Sequence, residues 1–371
     1  MLKMELSRES LQKILESNSI EKLPITELES LFFKEKQIVG HIPSGHWEID
    51  PRNSDRIVYN ASRRKRPHDN IKPEKDSEKN KEIKDCAICR GNTTGVLDVE
   101  ELSDGFTFIN KNLYPAVYPH ENINDEKYSA AGFHFLQWTS SVHGHDWHNM
   151  KTEDCCTVMK RLAALEGYLL NGRTFLKTGT AKGSKETGPF VVIIKNYGKL
   201  VGGSLSHGHQ QILYTNIMPR SFIDDLNFLK EHGETFSSYI MRENPLNLTV
   251  KDYGSAVLLV PFFMKRPYHM ILSMKPSGKL EKTFLHELDD KELESAARGW
   301  HDAAAAITEI MPKIGRDTAY NIVTHNGPEG GLYFEFLPYT QELGGLEKLG
   351  FYICEGEPLE AAETLRGVMN C

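Results

Sequence analysis

Apolar residues recur near helical spacing at the start of the chain, at Leu11, Ile14, Leu15 and Ile20, until Pro24 breaks the run. The spacing predicts helix over 2–37, as a peripheral arm rather than a catalytic element. Trp47, Ile49, Ile57 and Val58 flank Asp50-Pro51-Arg52-Asn53, a hairpin signal. Residues 61–84 are dense in Lys, Arg, Asp, Glu and Asn and read as a solvated loop. Short apolar runs at Phe106–Ile109 and Phe133–Trp138 read as strands. Over 152–170 the pattern changes: Thr152 is a plausible N-cap, Glu153 and Asp154 suit a first turn, and Val158, Leu162, Leu165 and Leu169 form one apolar stripe. Phe190–Ile194 then reads as a buried strand, Gly198–Gly203 as a glycine-rich loop, and Gln210–Tyr214 as strand again. The second half echoes this order. Ala256–Phe263 and Met270–Met274 are strand-like. Asp289 caps a helix carrying Leu293, Ala296, Trp300 and Ile307, and Tyr320–Thr324 and Leu332–Leu337 are strands once more. Two successive units of meander, helix and paired strands predict a duplicated α+β module, with the boundary between residues 216 and 250.

Length agrees with this division, since 371 residues make two domains or one large one at roughly 100–200 residues per domain. With 39% hydrophobic and 26% charged residues, the chain reads as globular with a sizeable core. A net charge of −7 gives no cationic field for a nucleic acid, so no nucleic-acid partner is expected. No apolar run is long enough for a membrane span, and the charged N-terminus lacks a signal peptide's apolar core. The expected compartment is the cytoplasm. Six cysteines are too few for a disulfide scaffold of this length and read as thiols or metal ligands.

The densest chemical signal is Gly202-Gly203-Ser204-Leu205-Ser206-His207-Gly208-His209-Gln210-Gln211. On a strand, His207, His209 and Gln211 would share one face. Gly203 and Gly208 admit close backbone approach, and amides of such a loop can cradle phosphate oxygens. A histidine here could attack phosphorus through one ring nitrogen while the other donates to a backbone carbonyl. The plainer reading is two histidines that satisfy each other or bind metal. Cys86-Ala87-Ile88-Cys89 reads as a zinc half-site; no second CxxC exists, so if a zinc is there histidines supply the rest, the candidates being His143 or His145, and His207. A thioredoxin-like redox motif would need a helix starting there, which Gly91-Asn92-Thr93-Thr94-Gly95 argues against. The basic run Ser62-Arg63-Arg64-Lys65-Arg66-Pro67 is a solvated turn by itself; near a phosphate site it would neutralise a diphosphate.

Together these pieces resemble the galactose-1-phosphate uridylyltransferase family of the histidine-triad superfamily, from about residue 47 to the C-terminus. Tyr59 through Pro67 resembles its Arg-x-Lys-Arg-Pro loop, and Cys86 through Asn92 its zinc loop. Asn112-Leu113-Tyr114-Pro115-Ala116 resembles its Asn-x-x-Pro-Ala segment, Ser141-Val142-His143 the segment supplying a histidine ligand, and Asn196 through Gln211 its active-site loop and strand. Gly344-Gly345-Leu346-Glu347 and Phe351–Cys354 resemble the ADP-glucose phosphorylase branch at least as well.

The resemblance implies an α+β fold of two tandem histidine-triad-like domains, each an antiparallel sheet with packed helices, divided as a helical arm over 1–44, a catalytic domain over 45–225 and a second domain over 226–371. It implies a structural zinc on Cys86, Cys89, His143 and His207, with His209 as nucleophile in a covalent nucleotidyl-histidine and Gln211 on its phosphoryl oxygens. Ser204 would bind the donor's distal phosphate, with Gly202 and Gly203 beside it. Asn196 and Arg63 would hold the diphosphate, Arg66 the acceptor phosphate, and Asn112 the base side. The implied activity moves UMP or AMP between a nucleotide-sugar and a phosphate or sugar-1-phosphate acceptor, in a possible homodimer. The alternatives are a phosphorylase or hydrolase of ADP-glucose, a dinucleoside polyphosphate or adenylyl sulfate, and a non-catalytic nucleotide-binding protein. Glutamine at 211, where small histidine-triad hydrolases have a third histidine, cannot act as acid or base at neutral pH and favours transfer over hydrolysis. Two departures stand out. Gly208 replaces the family's usual proline. The positions matching a second metal site are Asp225, His325, Tyr333 and Glu335, too few histidines for that metal to be expected.

Overall fold

The computed structural model describes residues 5–66, 86–120, 130–172, 189–276 and 281–370. Most of the charged stretch, including Pro67, lies outside the described residues, as does Cys371. The chain divides into two units. Unit 1 holds residues up to His145, Ala164–Ile193 and His207–Asp224. Unit 2 holds Asp146–Ala163, Ile194–Ser206 and Asp225 onward.

Unit 1 begins with α1 (Arg8–Ile14) and α2 (Ile25–Lys34), and Pro24 is the N-cap of α2. The expected peripheral arm is instead part of the core. Leu6, Leu11, Ile20, Leu28, Phe32 and Ile38 are buried, and Phe32 packs on Phe133 and Phe135. The fully buried Lys111 explains part of this, because its ammonium is paired by Glu16 and Glu35 from the arm. Without them it would be an uncompensated buried charge, which costs several kcal/mol. The hairpin β1 (Trp47–Ile49) and β2 (Arg56–Val58) pairs antiparallel as its turn predicts. Then come β3 (Val96–Leu102), β4 (Gly105–Lys111) and β5 (Gly132–Trp138). Helix α3 (Thr152–Asn171) buries Val158, Leu162, Leu165 and Leu169, as the stripe predicts, and is divided between the units. Strands β6 (Phe190–Tyr197) and β7 (His209–Thr215) complete the unit's sheet in the order β3-β4-β5-β7-β6. The β5–β7 register sets His209 opposite Trp138 and Gln211 opposite Leu136.

Unit 2 takes the second half of β6 and continues from α4 (Arg220–His232), whose first residues lie in unit 1, into α5 (Phe236–Glu243), β8 (Thr249–Asp252), β9 (Ala256–Leu259) and β10 (Met270–Met274). Helix α6 (Asp290–Lys313) starts at a capping box in which Asp289 accepts from Lys291 and Glu292 N–H and Glu292 reaches back to Asp289 N–H. It packs on β9, β10 and β12, and at Gly299 it approaches so closely that a Cβ would meet Leu272 at 2.5 Å. Strands β11 (Tyr320–His325) and β12 (Tyr333–Pro338) follow, then α7 (Gly345–Lys348) and α8 (Pro358–Val368). The strand order is β6-β11-β12-β10-β9-β8, antiparallel in its named pairings. The α+β class and the antiparallel sheets with packed helices are as the sequence predicts. Among the described residues no helix is long and apolar enough to cross a membrane.

Candidate active site

Cys86 and Cys89 sit on a turn opened by the chain's CxxC, His143 on the loop after β5, and His207 just ahead of β7. The ligand atoms of these four lie within 4.8 Å of one another. His207 Nδ1 is 3.6 Å from Cys86 Sγ and 3.7 Å from Cys89 Sγ, and His143 Nδ1 is 3.6 Å from Cys89 Sγ. A tetrahedral ion with metal–S bonds near 2.3 Å and metal–N bonds near 2.0–2.1 Å sets ligand S···N edges at about 3.6 Å, so the group fits a metal ion. His207 Nε2 donates to the Ser140 carbonyl at 2.9 Å, which fixes Nδ1 as the free ligand nitrogen. A hydrogen bond from Cys89 holds the Cys86 thiol far below its ordinary range, while the same bond and burial push that of Cys89 up. His145 is not in the group.

The sequence reading set His207 and His209 side by side on one strand face. The structure corrects this, because β7 begins at His209. His207 turns toward the cysteines, and its carbonyl accepts from His209 Nδ1 at 2.8 Å. That bond places the proton on Nδ1 and makes Nε2 the unprotonated ring nitrogen. Gly208, in the place of proline, is held from outside: both the N–H and the hydroxyl of Thr139 donate to its carbonyl, at 3.0 and 3.1 Å. Trp138, anchored by its indole N–H to Asn110, packs against both histidines with ring centres 5.3 Å from His207 and 5.0 Å from His209.

Gln211 follows His209 on the same face of β7. It meets a residue with no local signature in the sequence. His134 on β5 is diagonal to it in the register, with Nε2 3.1 Å from Gln211 Oε1. Asn112 reaches the same imidazole, and Ala116 N–H donates to its Nδ1. Arg63 lies on the 3₁₀ turn Ala61–Lys65, capped by Asn60, and donates to the Tyr114 carbonyl at 2.6 Å. Burial and the charge of Arg66 lower its pKa to about 10. Burial, then the charges of Arg63 and Arg66, hold His134 well below the ordinary histidine range. Unit 1 therefore joins Asn112, His134 and Gln211 by hydrogen bonds, puts the charges of Arg63 and Arg66 close enough to act on His134, and sets His209 two residues before Gln211 on β7, an arrangement that suits an anionic ligand. A lone histidine inside an apolar strand usually belongs to the core, and only cross-strand register reveals otherwise.

The remaining expected residues, Asn196, Gly202, Gly203 and Ser204, fall in unit 2. Their loop is tight. Gly198 and Gly202 have φ of +86° and +85°, and a Cβ at Gly203 would come 2.7 Å from the Gly198 carbonyl. Asn321 Nδ2 ties the loop to the sheet, donating to Asn196 Oδ1 at 2.7 Å and to the Val201 carbonyl at 3.2 Å.

The second-metal positions also cluster in unit 2. His325 stands between two carboxylates, with Nδ1 3.3 Å from Asp225 and Nε2 3.1 Å from Glu335. Tyr333 donates to Asp225 at 2.8 Å, and His269 Nε2 lies 3.1 Å from Glu335. Burial alone would lower the His325 pKa; hydrogen bonds to Asp225 and Glu335 raise it to about 9. The cluster therefore holds a buried imidazolium between carboxylates at neutral pH.

No family model matches the chain. A uridylyltransferase structure superposes with a TM-score of 0.64 at 20% identity, covering 87% of this chain and 98% of that one. The chain therefore has the uridylyltransferase fold. A structure of ADP-glucose phosphorylase from Arabidopsis thaliana, solved with bound ADP-glucose, superposes with a TM-score of 0.61 at 16% identity, covering 86% and 98% of the two chains. In sequence, ADP-glucose phosphorylase of Arabidopsis thaliana is 23% identical over 193 residues, 48% of this chain and 52% of that protein. The chain thus spans about half the length of this curated relative.

Proposed function

We propose that the protein is a nucleotidylyltransferase that moves UMP or AMP from a nucleotide-sugar, through a covalent nucleotidyl-His209, to phosphate or a sugar 1-phosphate. The observation that carries this reading is the His209 Nδ1 bond to the His207 carbonyl, which leaves Nε2 as a nucleophile of fixed tautomer beside a neutral amide. In the first displacement Nε2 attacks the phosphorus bound to the nucleoside. The P–N bond forms while the P–O bond to the sugar phosphate breaks, and sugar 1-phosphate leaves. In the second, a phosphate oxygen of the acceptor attacks the same phosphorus and the P–N bond breaks. A phosphate leaving group needs no proton at neutral pH, so glutamine suffices at 211. Arg63, Arg66 and Asn112 are assigned to donor and acceptor binding. Asn196, Gly202, Gly203 and Ser204 are assigned to the diphosphate by their match to the motif. The working division is a catalytic module over 45–225 and a second module of the same kind over 226–371.

We assign zinc to Cys86, Cys89, His143 and His207, as a structural ion that fixes the loop from which His209 projects. Reduced thiols at that site suit a cytoplasmic enzyme. Elemental analysis should return one zinc per chain. Cys86→Ser should lose it, with a fall in thermal midpoint of about 10 °C, equivalent to roughly 3 kcal/mol for units of this size. An unchanged metal content would overturn the assignment.

The curated relative favours inorganic phosphate as acceptor and an ADP-sugar as donor. Labelled UDP-glucose and ADP-glucose, each offered with phosphate and then with a sugar 1-phosphate, decide between the versions. Nucleoside diphosphate formed only with phosphate identifies a phosphorylase, and a new nucleotide-sugar identifies an exchange transferase. If neither donor, nor a dinucleoside polyphosphate or adenylyl sulfate, is consumed, the catalytic reading fails.

A further inference from the structure

We infer that His134 is the positioning residue for Gln211: it fixes which end of the glutamine amide faces the phosphoryl group on His209. The inference rests on the nucleotidyl-transfer reading and adds a residue to it.

Matching each donor to an acceptor fixes the orientation. Ala116 N–H points at His134 Nδ1 from 2.9 Å, so Nδ1 must be an unprotonated acceptor. A neutral imidazole then carries its proton on Nε2. Burial and the neighbouring Arg63 and Arg66 keep the ring neutral. The Nε2–H has two neighbours, each at 3.1 Å: Asn112 Nδ2 and Gln211 Oε1. Asn112 cannot accept it, because its Oδ1 already takes the Tyr114 N–H at 2.9 Å and its amino group faces the ring. Gln211 Oε1 is the acceptor that remains. With Oε1 so engaged, the amino group is the end of the Gln211 amide left to face away from His134. A glutamine flipped the other way would present its oxygen to a negatively charged phosphoryl group and repel it. The chain Ala116 N–H, His134, Gln211 thus converts a fixed backbone donor into a fixed side-chain donor two residues from the nucleophile. Preorganised donors of this kind act on charge that develops in the transition state.

Two conservative variants separate this role from a merely structural one. In His134→Asn the amide oxygen occupies the place of Nδ1 and keeps the Ala116 bond, but nothing reaches Gln211. In His134→Gln the terminal amide reaches the place of Nε2 and keeps donation to Gln211, but the Ala116 bond is lost. Single-turnover nucleotidylation should therefore slow about 10- to 100-fold in His134→Asn with KM for the donor changed less than about threefold, since one misaimed donor is worth no more than the loss of an oxyanion-hole group. His134→Gln should stay within about threefold of wild type although its melting temperature falls. In a Gln211→Ala background, His134→Asn should add no further loss, because the two residues act as one unit. Near-wild-type rates in His134→Asn, slower transfer in His134→Gln than in His134→Asn, or multiplicative losses in the double variant would overturn the inference while leaving nucleotidyl transfer intact. Absence of any nucleotidyl-enzyme in the wild type would sink the underlying reading instead.

Discussion

His209→Ala should lose overall turnover by on the order of 10³-fold or more while retaining its metal and its fold. The loss is large because the residue forms the bond on which both half-reactions depend. It should be selective because His209 is outside the group of side chains placed to hold a metal: His207 is in that group, and it meets His209 through its backbone carbonyl rather than its ring. His209→Gly should behave likewise, with partial recovery when free imidazole fills the vacated space. His207→Ala should fail the other way, losing metal and thermal stability first. Steady-state rates and metal content, measured together on the three variants, check the separation. His209→Ala at wild-type turnover would remove the covalent mechanism and leave fold and nucleotide binding alone.

The second large effect concerns stability. His325 is nearly enclosed between Asp225 and Glu335, and His269 supports Glu335 from its other oxygen. His325→Leu would leave two carboxylates buried without their cation, and should cost roughly 3–5 kcal/mol. The pH dependence follows from the direction of each shift. The folded pKa of His325 is raised to about 9, against about 6.5 when unfolded. Its contribution is fully present below about pH 6.5 and is lost as pH rises through about 9, a change of about 3 kcal/mol at 1.36 kcal/mol per unit. Burial alone would raise the pKa of Glu335, but hydrogen bonds from His269 and His325 hold it well below the ordinary range. Its contribution is present above about pH 4.5 and is lost only as pH falls further. Denaturant midpoints measured from pH 6 to pH 10 should fall on the alkaline side in the wild type and stay flatter in His325→Leu. Equal slopes in the two proteins would show that the imidazolium is not what holds the cluster.

The parts of the fold that were legible in the sequence are those whose cause is local. Helix α6 has its capping box and α3 its stripe, and β6 and β10 are apolar runs. Strand β3 is not legible in the sequence, because Asp98, Glu100 and Glu101 hide its alternation and a bulge after Val96 shifts its register. The burial of the N-terminal segment is illegible for a different reason. It depends on Lys111, about a hundred residues away, whose need for Glu16 and Glu35 appears only once β4 is in the core. At the site, the Cys86–Cys89 spacing and the His207–His209 pair announced themselves. Strand alternation does not put both histidines on one face, because His207 lies ahead of the first residue of β7. His134 and Thr139 carry no local signature. They act on Gln211 and Gly208 only because β5 runs beside β7.

The most direct test is a mass measurement on the intact wild-type protein after mixing with UDP-glucose, or with ADP-glucose, in the absence of any acceptor. The account predicts a gain of one nucleoside monophosphate per chain with one of the two donors. The adduct should map to His209, survive base, break in acid as a phosphoramidate does, and disappear when acceptor is added. Turnover of a donor with no such adduct, or an adduct on any other residue, would contradict it.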